Sequence, residues 1–244
     1  VLYEGKIYDV FDGLTKESTV TVNGKIRKRS EDDYNLKLKT GKLELLVDSI
    51  EVLGKAKHIL PFEFITSHEV NEDVRLKYRY LDLRNPKMHK IVLLRSKVLN
   101  YIRNIMVKDD FVEVETPLLT TSSPEGARDF VVPSRLYHGK FYALPQAPQI
   151  YKQLLMVSGF NKYFQIAPCF RDEDTRSDRT LEFYQLDIET SYPEIDQLYK
   201  LGESICLKIF KKFSDKKLLY KKFPRISYSD AMLKYGTDKP DLRN

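Results

Sequence analysis

The spacing of apolar positions changes several times along the chain, and each change predicts a different element. Residues 1–66 read as short strands. In TVTVNGKIRKR the pattern alternates through Val20, Val22 and Lys25, and Asn23-Gly24 is a turn signal. KLELLVDSIEVLG follows behind a second turn signal at Thr40-Gly41. Small modules of this kind include five-stranded barrels that bind oligonucleotides, and a chain opening on VLYEG without a methionine predicts that the first barrel strands are missing. From Pro61 to Pro86 the period is lost in PFEFITSHEVNEDVRLKYRYLDLRNP, which predicts a hinge at 67–85 with a helical turn around Glu72 to Tyr80. Next, Met88, Ile91, Val92, Val98, Leu99, Ile102, Ile105 and Met106 recur at helical spacing. FVEVETP reads as a strand that Pro117 stops from pairing further. Two more strands, around YFQIAPCF and FYQLDIE, predict a hairpin, and IDQLYKLGESICLKIFKKF predicts a helix after Asp196. The tail, residues 223–244, has the Pro/Gly/Asp content of a connector.

Composition narrows the class. At 244 residues, with 42% hydrophobic and 31% charged positions, the chain has ample length for a core of ordinary globular type. No run of about 18 apolar residues predicts a membrane span, and no signal peptide is visible. Cys169 and Cys206 are too few for a disulfide framework, so a reducing cytoplasm is expected. His58, His68, His89 and His138 lack metal-ligand spacing, and no metal site is predicted. A net charge of +6 permits a polyanionic partner without requiring one.

The densest chemistry lies between the hairpin strands, where eight of the twelve residues from Arg171 to Glu182 are charged. Strand alternation places Gln165, Cys169 and Arg171 on one face with Gln185, Asp187 and Glu189, and sets Phe164, Ile166, Phe170, Tyr184, Leu186 and Ile188 on the other. A polar hairpin face commonly meets water. Guanidinium forks, however, hold phosphate bidentately, so the residues alone leave a solvated face and a triphosphate site equally open. In LPQAPQIYKQLL, Pro148 suits the first helical position, which puts Gln149, Lys152 and Gln153 on one face and predicts that Ile150, Leu154 and Leu155 pack the core. That polar face lines a site or meets water. TSSPEGARDFVVPS suggests a loop near a site, with Glu125 beside the permissive backbone of Gly126. The GxxxxGK[ST], GxGxxG, GxSxG and CxxC motifs are absent.

Taken in order, these segments resemble a class II aminoacyl-tRNA synthetase of the bacterial aspartyl type. RLKYRYLDLRNP resembles the hinge lead-in of that family, and FVEVETPLLTTSSPEGARDF its motif 1 with the dimer-interface proline, Pro117. FYALPQAPQIYKQLLM resembles the start of its aspartate-binding helix. CFRDEDTRSDRTLEFYQLDIE is similar to motif 2, and YGTDKPDLRN to the entry into an inserted domain. The resemblance implies an α+β chain: a partial anticodon-binding OB-fold barrel at 1–66, the hinge at 67–85, the first part of an antiparallel catalytic sheet flanked by helices at 86–222, and a connector at 223–244. It further implies a homodimer that uses ATP and Mg2+ to join L-aspartate to tRNA(Asp).

Carried over by position, Arg171 bridges the α-phosphate and the aspartate carboxylate. Glu125, Gln149 and Asp187 hold the amino end of the substrate, and Lys152 pairs with its side-chain carboxylate. Asp172, Glu173, Thr180 and Gln185 fall on the ATP side, and Gln185 and Glu189 line the pocket. Arg27, Arg29 and Glu44 fall where the family contacts anticodon bases. Two positions depart from the pattern: Ala147 stands where the family has serine, and Thr180 where it has a glutamine that touches ATP. Motif 3 is not found, and with it go the γ-phosphate arginine and a second aspartate-recognising arginine, so the chain by itself is expected to be a poor catalyst. The sequence leaves open whether tRNA(Asn) is also charged. Two alternatives stand beside this reading: an asparagine-specific relative, and a non-catalytic tRNA-binding relative.

Overall fold

The computed structural model describes Val10 and residues 13–56, 59–123, 125–176, 179–220 and 222–243. The opening VLYEG and Pro124, on which parts of the sequence reading fall, lie outside them. The chain divides into two compact units, Val1–Lys90 and Ile91–Asn244.

In the first unit, β1 (Thr19–Lys28) pairs antiparallel with β2 (Leu43–Gly54). Among the described residues these two strands form a sheet of their own, and no closed barrel is formed. Asn23-Gly24 is not a turn. β1 runs through it with a register slip between the two residues, and a Cβ on Gly24 would run into the carbonyl of Leu46. The glycine is there for close backbone approach at a bulge. The reversal comes near the second predicted turn, where Leu38 N donates to Asn35 O and Gly41 N to Leu38 O, both at 3.1 Å.

The predicted helical turn is two short helices, α1 (Glu72–Lys77) and α2 (Arg79–Asp82), broken at Tyr78 by a non-helical ψ of 44°. Asn71 caps α1 by accepting from Asp73 N at 2.8 Å. Beneath them the fully buried Asp82 accepts from Ser67 Oγ at 2.7 Å, from Arg75 Nε and Nη2 at 3.1 and 3.3 Å, and from Arg79. Burial alone pushes Asp82 up, but these donors together hold its carboxyl below the usual range. Asn85 Nδ2 donates to the carbonyls of Phe64 and Ile65, each at 2.9 Å, closing the cluster. The RYLDLRNP segment is therefore held by a buried polar network together with the buried Leu81, a mixture that leaves no apolar period.

Helix α3 (Pro86–Lys108) starts on a proline and crosses the division between the units. Its apolar stripe is only partly used: Ile102, Ile105 and Met106 are buried, whereas Ile91 is 57% exposed. Those three pack with Phe111, Phe164 and Ile205, and with half-buried Ile166, Leu186 and Ile188, to form the core of the second unit. The sheet order is β3 (Val112–Glu113), β6 (Lys162–Phe170), β7 (Glu182–Thr190). β6 and β7 are the antiparallel hairpin that alternation predicts. β3 joins β6 in parallel, so the expected antiparallel sheet is mixed. The FVEVETP strand shrinks to two residues because the segment soon leaves the ladder: past Val114 N, which donates to Phe164 O at 3.3 Å, Thr116 turns its hydroxyl to the Gln165 side chain and Pro117 has no N–H to give.

β4 (Val131–Pro133) and β5 (Phe141–Ala143) form a separate antiparallel ribbon, too short to leave a period in the sequence. Helix α4 (Gln149–Val157) begins one residue after the position predicted for its start, with Pro148 as the preceding cap residue. Helix α5 (Ile195–Phe213) opens on a capping box of Glu194 and Gln197. The tail is not all connector. It contains α6 (Tyr228–Tyr235), which Ser227 caps by accepting from Asp230 N and which Gly236 ends at φ 67°. Among the described residues no helix is long and apolar enough to cross a membrane.

Candidate active site

The β6–β7 register builds the site. Tyr163 lies opposite Glu189, Gln165 opposite Asp187, Ala167 opposite Gln185 and Cys169 opposite Phe183. The reverse face sends Phe164, Ile166, Leu186 and Ile188 into the core. The polar face is buried as well: Tyr163, Ala167 and Cys169 are closed off, Gln165 is 4% exposed and Asp187 8%. That decides against the solvated hairpin face.

What covers this face is α4, and the residue it turns inward is Lys152. Its Nζ lies 3.0 Å from Asp187 Oδ1 and 3.2 Å from Glu189 Oε2. Ile150 and Leu154, predicted to pack the core, are instead 51% and 55% exposed. The reason is electrostatic: two carboxylates on the sheet face below require a cation above them, since a buried charge without a partner is costly. Burial opposes the lysine's charge, yet Asp187 and Glu189 together hold it above the usual lysine range. Asp187 is pushed up, first by burial and further by Glu189, with Lys152 offsetting part of the shift. Burial also drives the Tyr163 hydroxyl far up and the Cys169 thiol to about 11, so neither ionises near neutrality. Tyr163 OH donates to Gln165 Oε1 at 2.8 Å, and Thr116 Oγ1 donates to the same oxygen at 3.0 Å.

Three buried side-chain atoms on this hairpin have no hydrogen-bond partner among the described residues, one of them Thr190 Oγ1 at the end of β7. The other two are Asp187 Oδ2 and Arg171 Nε. One accepts and the other donates, so the face presents an unmet demand for a cationic donor and an unmet demand for an anionic acceptor. The guanidinium of Arg171 stacks over the Phe183 ring at 5.0 Å. It also lines a cleft of about 560 Å³ together with Glu125, Gly126, Glu173, Arg179, Thr180 and Phe183. A second cleft of about 460 Å³ shares Glu173 and Arg179 and adds Arg128, Asp172, Asp174 and Arg176. Within the mixed-charge loop Arg179 pairs with Glu173 at 3.4 Å.

Residues 71–244 match the family described as tRNA synthetases class II (D, K and N). The chain belongs to that family. The aspartate–tRNA(Asp/Asn) ligase of Pelagibacter ubique is 57% identical over 238 residues, covering 96% of this chain and 40% of the relative. The aspartate–tRNA ligase of Streptomyces coelicolor is 54% identical over 237 residues, covering 97% and 40%. The chain thus spans about 40% of the length of these curated relatives. Among solved structures, asparaginyl-tRNA synthetase from Pyrococcus horikoshii, complexed with asparaginyl-adenylate, superposes with a TM-score of 0.75 at 24% identity, over 97% of this chain and 56% of that one. Asparaginyl-tRNA synthetase of Entamoeba histolytica gives 0.73 at 18%, over 95% and 55%. At those identities the fold is what they share.

Within this class II synthetase the predicted site residues divide into groups. Lys152, Asp187 and Glu189 meet directly, whereas Glu125, Arg171, Glu173 and Thr180 meet around the larger cleft. Gln185 is half-buried on the same sheet face, Gln149 is half-buried at the start of α4, and Asp172 opens onto the smaller cleft. Thr180 spends its hydroxyl hydrogen on Glu182 O at 2.6 Å. Pro117 is exposed, just beyond the end of β3. In the first unit Arg27 and Glu44 face each other in register with Nε to Oε1 at 2.6 Å, and Arg29 Nε donates to Leu43 O at 3.1 Å. Sequence reasoning missed Tyr163 and Gln146. Tyr163 was findable, since it precedes Gln165 by two residues and so shares its face. Gln146 had a weaker signal: PQAPQ offers two glutamines, and only helical phase selected Gln149.

Proposed function

We propose that the protein to which this chain belongs is an aspartate–tRNA ligase, which activates L-aspartate with ATP to aspartyl-adenylate and transfers it to the 3′ end of tRNA. The observation that carries this reading is an acceptor and a donor orphaned on one hairpin. Asp187 Oδ2 suits the substrate ammonium, and Arg171 Nε suits a phosphate or carboxylate oxygen. In the first step the α-carboxylate oxygen of aspartate attacks the α-phosphorus, and the bond to pyrophosphate breaks. In the second, a hydroxyl of the terminal ribose attacks the acyl carbon and AMP leaves. No covalent enzyme intermediate is needed, so holding the two reactants in line and stabilising the charge that grows on phosphate carry the catalysis. Arg171 meets both demands, between the two substrates. Glu125 and Gln149 join Asp187 at the amino end, and Glu173, Asp172, Thr180 and Gln185 attend ATP. Mg2+ would accompany the ATP phosphates; among the described residues no three His, Cys, Asp or Glu side chains converge.

Lys152 reads the substrate's side-chain carboxylate, with a qualification set by its partners. Two carboxylates already share the ammonium, so a third anion needs a further cation nearby, which falls to the part of the relatives' length that this chain does not span. The same neutralisation makes asparagine the necessary comparison substrate. We assign Arg27, Arg29 and Glu44 to an anticodon-binding OB-fold surface, Pro117 to a homodimer contact, and the protein to the cytoplasm. The name of the Pelagibacter ubique relative supports tRNA(Asp) and tRNA(Asn) as substrates, and that of the Streptomyces coelicolor relative supports the joining of aspartate to tRNA.

The test is ATP–pyrophosphate exchange by the full-length protein, with aspartate and with asparagine. Aspartate is expected to drive exchange, and Lys152→Leu to reduce it by about 10²–10⁴-fold, the cost of leaving buried charges unpaired. Exchange driven only by asparagine favours the amide-specific relative. Silence with both, in a folded protein, leaves a tRNA-binding module.

A further inference from the structure

We propose that Gln146 is the positioning residue that anchors the Glu125-bearing segment at the amino-acid side of the cleft, a proposal that rests on reading that cleft as the aspartate and ATP site. The Gln146 side chain is 2% exposed and commits its whole amide to one short segment. Its Oε1 accepts from Ala127 N at 3.2 Å. Its Nε2 donates to Ala127 O at 2.9 Å, to Ser123 O at 3.4 Å and to Asp129 Oδ1. Asp129 is fixed in turn by Ser122 Oγ, which donates to its Oδ2 at 2.5 Å.

An amide that serves both the N–H and the C=O of Ala127 imitates a neighbouring β-strand. That dual role needs a donor and an acceptor on one planar group, which a carboxylate or hydroxyl of similar reach does not supply as fully. Between these tethers, Glu125 accepts from Ser123 Oγ at 3.5 Å, and Gly126 turns with φ 101°. The tip of the segment is thus held from its feet. Arg128 carries the fixed position onward, because its carbonyl accepts from Asp172 N at 3.0 Å, on the hairpin loop. Gln146 also stands just ahead of α4, which carries Lys152. One side chain therefore sets the spacing between two residues that read the amino acid, Glu125 and Lys152.

The test uses the full-length protein with two substitutions and two measurements. For Gln146→Ala, the KM for aspartate in pyrophosphate exchange is expected to rise about tenfold or more, while kcat and the KM for ATP stay within about twofold, as the loss of one or two hydrogen bonds at a binding loop predicts. For Gln146→Glu, a second carboxylate faces Asp129. At alkaline pH the aspartate KM should be high, and it should fall on acidification as the new carboxyl gains a proton to donate. The wild type is expected to lack that inversion. Unchanged aspartate KM in Gln146→Ala, an equal loss in all three kinetic constants, or no pH inversion in Gln146→Glu overturns the positioning role. Amide hydrogen exchange without substrates separates this from failure of the functional reading. Peptide 125–130 should exchange about tenfold faster in Gln146→Ala, with the β6–β7 hairpin unchanged. Equal exchange rates overturn the anchor even if the wild type activates no amino acid.

Discussion

Asp187 is a carboxylate asked to stay charged in a buried place, and that conflict has a measurable signature. Burial pushes its pKa up, Glu189 adds to the shift, and Lys152 opposes it. Protonation removes the acceptor that an ammonium needs. Because the shift is upward, the site is competent above the raised pKa and is lost as pH falls through it. In the full-length protein, kcat/KM for aspartate in exchange should therefore drop on the acid side with an apparent midpoint above the ordinary Asp value of about 3.9. Glu189→Gln removes the like charge that adds to the shift and should move that limb down. A limb at or below the ordinary value, unmoved by Glu189→Gln, would sink this account of Asp187. At this scale the sequence was legible where two-residue alternation applied: it placed Gln165, Asp187 and Glu189 on one face. It could not reveal that Lys152 turns inward onto Asp187 and Glu189. That contact spans 35 positions from Lys152 to Asp187, and it depends on how α4 lies over the sheet.

Whole elements follow the period of the sequence when tertiary packing uses that period, and depart from it when packing does not. Helix α3 has apolar positions along most of its length, but its core contacts lie in the C-terminal part: Ile102, Ile105 and Met106 are buried there, and Val98 and Tyr101 pack against them. Met106→Ala in this chain should cost about 2–5 kcal/mol in denaturant unfolding, because a fully buried side chain leaves a cavity. Ile91→Ala, at a half-exposed position outside the core cluster, should stay within about 0.5 kcal/mol. Comparable losses at both positions would mean that the periodic stripe acts as a unit. The misreadings have the same physical origin. Asn23-Gly24 carries a turn signal, yet the partner strand continues past it, and pairing with β2 overrides local preference. Helix α6 spans only eight residues between Ser227 and Gly236, so its caps say more than its period. The ribbon of β4 and β5 has three residues per strand, below what alternation can register. The long hairpin and α5 were legible because each runs through enough residues for its period to repeat.

For the molecule as a whole, charge is the property that acts at a distance, and its distribution makes a separate test of the RNA assignment. The chain carries +6, but net charge says little about where RNA lies. The β1–β2 sheet localises the question. Arg27 is paired with Glu44 at 2.6 Å, and Arg29 reaches the same carboxylate at 4.0 Å, so two arginines share one acid and the group carries a single net positive charge. If single-stranded anticodon nucleotides lie against it, binding releases counterions, and the affinity falls with salt with a slope of about −0.7 for each phosphate neutralised. Removing either arginine leaves a neutral pair, so Arg27→Ala and Arg29→Ala should each make the slope of log affinity against log salt shallower by about 0.7. Glu44→Gln frees the second arginine and should steepen it by a similar amount. The measurement is tRNA(Asp) binding by full-length variants between about 50 and 200 mM salt, a range over which phosphate contacts change affinity strongly. A lost base-edge contact weakens binding at every salt concentration and leaves the slope alone. Parallel shifts without a change of slope would thus place these side chains on bases rather than phosphates. Three variants indistinguishable from the parent in both slope and affinity would remove this face from the RNA interface, while leaving the proposed adenylate chemistry to stand on the exchange assay.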